Sequence, residues 1–319
     1  MRVVLVEDKY IVVIGGLNMD IAGLSGSNYH EKDSNIGEIT LSIGGVGQNI
    51  AQNLTRLEAP TYLITVYGDD SFGTILENDC LNNQINLDYA QKIKNAHSST
   101  YLYVANNQGD MVTAINDMTI VNQMTPNFLE ERLPFINQAE IVVIDGNISQ
   151  ESIEFLAKNV VPPIFVDPVS LAKVERFENV LNRIDTLKPN DLEAELLTGI
   201  KVTDIETGKE AALTLNKRGV KNVFISLGSQ GILCSRHDEE PTLIPPIAKK
   251  IISTNGAGDC TMATIAWARF YYGDVLALKE IGQISQAAAS ITMESPLAVS
   301  EALNIKNIIH RTTKYMETI

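Results

Sequence analysis

Ser253-Thr254-Asn255-Gly256-Ala257-Gly258-Asp259 runs straight into a largely apolar helical pattern that continues to Tyr272. Small residues at 256–258 let a backbone approach an anion closely. The amides of Gly256, Ala257 and Gly258 would point at it from a helix N-terminus carrying about half a positive charge. Asp259 follows within the first turn. A carboxylate there repels a phosphate, but it can accept the proton of an attacking hydroxyl. The other reading is a Gly-rich turn with Asp259 as an ordinary helix-start acid. The segment alone does not choose between them.

Working outward, short β-branched runs alternate with helical patterns. Strands are expected at Tyr10–Ile14, Tyr62–Tyr67, Ile141–Ile144, Ile164–Val166, Thr186–Leu187 and Val223–Leu227. Most are continuous apolar runs, the pattern of parallel strands buried on both faces. Helices are expected over 47–57, 71–83, 149–159 (with Ser149 as N-cap), 190–198, 207–218, 257–272, 275–294 and 300–316. This alternation predicts an α/β fold, a doubly wound, mostly parallel sheet flanked by helices. The chain, 1–319, reads as one domain. Two stretches, 20–43 and 98–117, alternate polar and apolar instead. The second carries a hairpin turn at Asn106–Gly109. They are expected to pair as a small β lid over a substrate; two ordinary surface hairpins are the alternative.

The 319 residues include 25 Lys and Arg against 39 Asp and Glu, a net charge of −14. That balance argues against nucleic acid as a partner and against an anionic membrane surface. Any phosphate site must therefore be local, made by a Lys, a metal ion or a helix N-terminus. Cys80, Cys234 and Cys260 are scattered, form no zinc spacing, and fit a reducing cytoplasm. The apolar run at 3–6 is too short for a signal segment. No run of about 18 apolar residues spans a membrane.

In parallel sheets, ligands bind beyond the carboxyl ends of the strands. Here those ends carry Asn18 and Asp20, Asp145 and Asn147, Asp167, Lys188 and Asn190, and Gly228. Gly44-Gly45-Val46-Gly47-Gln48-Asn49 opens a helix. Its glycines would let a substrate lie on backbone, and Asn49 can bond hydroxyls. In Lys188-Pro189-Asn190-Asp191-Leu192-Glu193, Asn190 and Glu193 share a helix face. They suit the water shell of Mg²⁺ near a nucleotide, or equally a capping box. Ser226-Leu227-Gly228-Ser229-Gln230-Gly231 is a tight turn whose amides could touch a nucleotide, and taken alone it reads as a hairpin turn. His30, His97, His237 and His310 are dispersed, so no Ser-His-Asp arrangement is supported.

In this order the motifs resemble the PfkB, or ribokinase-like, carbohydrate kinases, from about residue 10 to about residue 300. The resemblance implies ATP-dependent phosphorylation of an alcohol, with Asp259 as base and Gly256, Ala257 and Gly258 as anion hole. Substrate contacts would come from Asn18, Asp20, Gly44, Gly45, Asn49, Ser98, Thr100, Asn116, Asp145 and Asn147. ATP contacts would come from Lys188, Asn190, Ser226, Gly228, Gly231 and Thr254. Asn190 and Glu193 would organise Mg²⁺ through water. The lid would double as a homodimer surface. Segments 44–54, 114–118, 165–170 and 186–190 are similar to the pseudouridine-kinase branch, which implies the 5′-hydroxyl of that nucleoside as acceptor. Another nucleoside or sugar, or a silent ligand-binding role, stays open. Glu58 stands where the family usually has Gly, and Thr264 where it has a smaller residue. Ser253 replaces an Asp that helps hold K⁺ in some members, so a need for K⁺ is open.

Overall fold

A computed structural model describes residues 9–27, 29–247 and 250–316, apart from the side chains of 315 and 316. Residues 1–8, with the short apolar run noted above, lie outside the described residues.

Among the described residues the strands are β1 Ile11–Ile14, β2 Asn18–Ser25, β3 Gly37–Gly44, β4 Thr61–Ile64, β5 Val66–Gly68, β6 Gln91–Ile93, β7 Thr100–Ala105, β8 Met111–Asp117, β9 Ile141–Asp145, β10 Ile164–Asp167, β11 Ile184–Leu187, β12 Asn222–Ser226, β13 Ile232–Arg236 and β14 Thr242–Ile244. Eight form one sheet in the order β14-β13-β12-β11-β10-β9-β1-β4. From β12 to β4 every pairing is parallel. The remaining edge, β12-β13-β14, is antiparallel.

The continuous apolar runs are explained by two cores, one on each face of this sheet. In β1, Ile11 and Val13 enter the core shared with Leu54, Trp267 and Ile284, while Val12 and Ile14 enter the core shared with Leu156 and Ala211. β9 divides its side chains the same way. Helices Val46–Arg56, Ala257–Tyr272 and Leu278–Met293 cover the first face. Helices Gln150–Asn159, Asp191–Thr198 and Ile205–Lys217 cover the second. Ser149 is the N-cap expected of its helix, accepting from the Ser152 amide at 3.2 Å.

The structure corrects one expectation and extends two others. The run at Tyr62–Tyr67 breaks at Thr65: β4 continues the main sheet, and β5 leaves it to pair with β6. The turn Ser226–Gly231 is a hairpin turn, and it leads into β13 and β14, which no apolar run had marked. The small separate sheet has the order β3-β2-β7-β8, and β2 and β7 run parallel within it. Its two hairpins are thus joined by a pairing between residues far apart in sequence.

Candidate active site

The carboxyl ends of the parallel strands open on a cavity of about 690 Å³, within the range of nucleotide-sized pockets. Asp259, Gly258, Ala257, Thr254, Lys188, Asn190, Glu193, Ser226, Gly228 and Gly231 line it, so most of the expected nucleotide contacts meet in one cleft. The helix Ala257–Tyr272 starts at Gly256, whose φ of 75° is left-handed. A Cβ there would run into the carbonyl oxygen of Ala298, so the turn requires glycine. No side chain caps this helix start. The Ala257 amide turns back to the Thr254 carbonyl at 3.3 Å. The Gly258 amide meets no protein acceptor among the described residues and remains available to a ligand.

Asp259 sits at this helix head, and its Oδ2 accepts from Asn49 Nδ2 at 2.8 Å. Burial pushes its pKa up, and the neighbouring Asp167 carboxylate adds to this, to about 7. The Asn49 amide and the Lys188 ammonium oppose that rise. Lys188 is itself buried, with Nζ 3.1 Å from Asp167 Oδ2. Burial alone would depress its pKa; Asp167, then Glu193 and Asp259, outweigh burial and leave it raised. A Cβ on Gly258 would lie 3.4 Å from that ammonium, so the cation sits against the same turn as the free amide.

Asn190 and Glu193 form the capping box that was the alternative reading. Asn190 Oδ1 accepts from the Glu193 amide at 2.8 Å, and Glu193 Oε2 accepts from the Asn190 amide at 2.9 Å. Each keeps one polar atom for the cleft. Among the described residues no cluster of three or more His, Cys, Asp or Glu side chains could hold a metal directly. A hydrated ion still fits, because Asp167, Asn190 and Glu193 line the same cleft and the last two each keep a polar atom that can meet its waters, although Asp167 Oδ2 is already paired with the Lys188 ammonium at 3.1 Å.

At the start of β2, Asn18 Nδ2 donates to Asp20 Oδ1 at 2.5 Å, and burial raises the Asp20 pKa against that bond. Gly44 lies across from Asn18, and a Cβ on it would collide with the Asp20 carboxylate. Gly45, at φ 104°, passes just as close to the Gly16 carbonyl.

Four expected substrate contacts are corrected. Asp145 has no exposed surface, and both its oxygens are used by Gly16, Gly47 and Asn147. Asn147 spends its amide on Asp145 and its oxygen on Lys173. Ser98 is buried and latched to Asp70, the N-cap of helix Ser71–Asn82. Thr100 pairs with buried Met19, so it faces away from Asp20, and its hydroxyl returns to the Ser98 carbonyl. Asn116 does share the Asp20 face, through Tyr101, the register partner of both. It is exposed and does not reach the main cavity. Ser253 Oγ accepts from the Asn255 amide at 3.1 Å within its own loop.

Sequence reasoning missed Tyr101, whose signal was the alternation of β7. It also left unassigned Asp167, which it had noted only as a strand end. Asp167 Oδ1 accepts from Val169, which lines the cleft with a left-handed φ of 73°. For a β-branched residue that strain costs about 1–3 kcal/mol and concentrates at functional sites. The apolar wall made by Pro246, Ile251, Ala289 and Met293 comes from elements distant in sequence.

Residues 8–304 match the model of the pfkB family carbohydrate kinases. The chain is 35% identical over 306 residues to a pseudouridine kinase of Escherichia coli strain K12, covering 95% of this chain and 96% of that one. It is 32% identical to an uncharacterised sugar kinase of the same strain, over 96% of this chain and 84% of the relative. Among solved structures, the ribokinase of Arabidopsis thaliana complexed with ribose and ATP superposes with a TM-score of 0.83 at 24% identity, covering 95% and 98% of the two chains. Among the described residues no helix is long and apolar enough to cross a membrane.

Proposed function

Because the chain belongs to the pfkB family of carbohydrate kinases, we propose that it transfers the γ-phosphoryl of ATP to the 5′-hydroxyl of pseudouridine. The observation that carries this reading is the 2.8 Å bond from Asn49 to Asp259. Through it the acceptor-side loop, 44–49, and the phosphate-side turn, 253–259, converge on one carboxylate. Asp259 takes the proton of the 5′-hydroxyl as its oxygen attacks the γ-phosphorus, and the bond to the ADP oxygen breaks. The Gly256 and Gly258 amides and the Lys188 ammonium meet the charge on the transferred group. Ser226 and Gly228 hold the nucleotide, whose ring lies on the wall of Ile251, Ala289 and Met293.

A hydrated Mg²⁺ would be held through its waters by Asp167, Asn190 and Glu193, and it would neutralise phosphate charge. Asp20 and Asn18 bind the ribose hydroxyls. Tyr101 and Asn116, on the Asp20 face of the lid, read the base. Two features support this nucleoside over a free sugar: the 35% identity to a pseudouridine kinase along 95% of the chain, and the row of polar and aromatic side chains beyond Asp20. The other face of the lid carries Ile39, Leu41 and Ile115, exposed by 75%, 56% and 64%. A second copy of the chain covers it, making a homodimer.

ADP release with Mg²⁺-ATP, measured against pseudouridine, uridine, other ribonucleosides, ribose and fructose 6-phosphate, tests the assignment. Pseudouridine is expected to give the highest kcat/KM. A higher value with any other acceptor discards the nucleoside while leaving the phosphoryl-transfer chemistry standing.

A further inference from the structure

Asp145 ends β9, beside β10, whose last residue Asp167 lines the cleft, yet Asp145 has no exposed surface. Its Oδ2 accepts from the amides of Gly16 and Gly47, each at 2.8 Å, and from Asn147 Nδ2 at 2.9 Å. Its Oδ1 accepts from the Asn147 amide at 2.8 Å. Four donors and no acceptor describe a carboxylate that is ionised, although burial pushes its pKa upward.

Gly47 is the second residue of helix Val46–Arg56. That helix has no cap of its own: its N-cap is Gly45, and no acid stands in its first turn. Asp145 supplies the missing carboxylate from 98 residues further along the chain. The same oxygen also ties down Gly16, where β1 leaves the sheet. Two residues beyond Gly47, Asn49 makes its bond to Asp259. A helix start that shifts carries Asn49 with it.

We propose that Asp145 is a positioning residue for phosphoryl transfer, which caps the helix Val46–Arg56 from β9 and so fixes Asn49 against Asp259. The proposal rests on the kinase reading above, and it replaces the role of substrate contact. Its charge acts on the base as well. Asp259 is faced by Asp167, Lys188 and Asp145, besides the Asn49 amide. Glu193 faces Lys188. Asp145 is faced by Lys173, whose Nζ donates to Asn147 Oδ1 at 2.7 Å and is repelled in turn by Arg176. Removing the negative charge at 145 therefore favours the ionised form of Asp259.

Two variants separate cap from charge. Asp145→Asn can keep its oxygen toward Gly16 and Gly47 and turn its amide only against Asn147. It is expected to keep kcat at high pH within about threefold, while the acid limb of kcat/KM moves to lower pH. Asp145→Ala loses both, and kcat is expected to fall about 10–100-fold with ATP affinity unchanged, because a base moved off line loses that much. A folded Asp145→Ala protein with near-native kcat overturns the proposal. So does a kcat loss matched by an equal loss of ATP affinity, the mark of a merely structural role.

A carboxyl ¹³C NMR titration of Asp259, assigned with Asp259→Asn, needs no turnover. Asp145→Asn should titrate below the native protein. Asp145→Ala should titrate above Asp145→Asn, since it also loses the Asn49 bond; coincident titrations refute the positioning. Were the native protein to transfer phosphate to no acceptor, the kinase reading would fall and this titration would still decide the geometry.

Discussion

The turn at Gly256 and the small sheet meet across Asn49, but they are built on opposite terms. The turn is short in sequence and crowded in space. A left-handed glycine, an unbonded amide and a carboxylate lie within four residues, packed against the buried Lys188–Asp167 pair. The sheet is assembled from residues 18–25, 37–44, 100–105 and 111–117, and much of its outer face is exposed. Chemistry that depends on backbone amides and one base can be written in a local motif. Recognition that depends on which side chains share a face cannot, because the facing is set by strand register. Substitutions in the two regions should therefore fail differently: turnover on one side, acceptor affinity or assembly on the other.

Asp259→Asn tests the turn most severely. It removes the carboxylate proposed as base while leaving an acceptor for Asn49 and relieving the repulsion from Asp167. We expect kcat to fall about 10²–10⁴-fold, the usual contribution of a general base. Thermal stability and ATP binding by calorimetry should hold. Near-native turnover in this variant would remove Asp259 from the mechanism.

Gly44→Ala probes the acceptor side. The added Cβ meets the Asp20 carboxylate, so that group must swing off the position where it would hold the substrate hydroxyls. A lost charged hydrogen bond costs about 1.5–3 kcal/mol, or roughly 10–150-fold in kcat/KM for the acceptor. The KM for ATP should not move. If both KM values rise together, the two regions are not separable as described.

The acid limb of kcat/KM sharpens the contrast. An unperturbed aspartate would ionise near 4. Burial and Asp167 raise Asp259 to about 7, so its proton is still bound at mildly acid pH. The base works only when ionised, and kcat/KM should fall about tenfold for each unit of pH below that limb. Asp167→Asn should shift the limb downward, since it removes a like charge. A limb near pH 4 in the native enzyme would contradict the environment assigned to Asp259.

How much was legible follows the same division. β1, β9, β10 and β12 stood out because burial on both faces leaves no polar alternation. β13 and β14 did not: they are short antiparallel edge strands, and their presence depends on the hairpin turn at Ser226–Gly231. Within the cleft, Asp259, Lys188 and Ser226 lie in compact motifs, and sequence order was enough to bring them together. Asp145 and Ser98 were misread for a shared reason. A polar residue beside a strand looks the same whether it serves a ligand or a neighbouring group of the protein. Only the fold reveals that Gly16 and Gly47 consume the first, and that Asp70 and Gly68 consume the second. Tyr101 went unnoticed because its value comes from lying beside Asp20 across a parallel pairing that joins distant segments.

Leu41→Asp carries the smallest expected effect on chemistry and the clearest on assembly. Leu41 is register partner to Ile21, which is neighboured in turn by Leu102 and then Ile115, so the row runs across all four strands of the small sheet. A charge in that row cannot be buried against a second copy without a large desolvation cost. Sedimentation should show a native dimer and a variant monomer. The cleft does not touch this face, so ATP affinity should stay native. If the native chain sediments as a monomer, the apolar row is not a dimer surface. Should the variant monomer also lose acceptor affinity, the lid needs its partner to keep Asp20 and Tyr101 in place. The two regions would then be coupled through assembly as well as through Asn49.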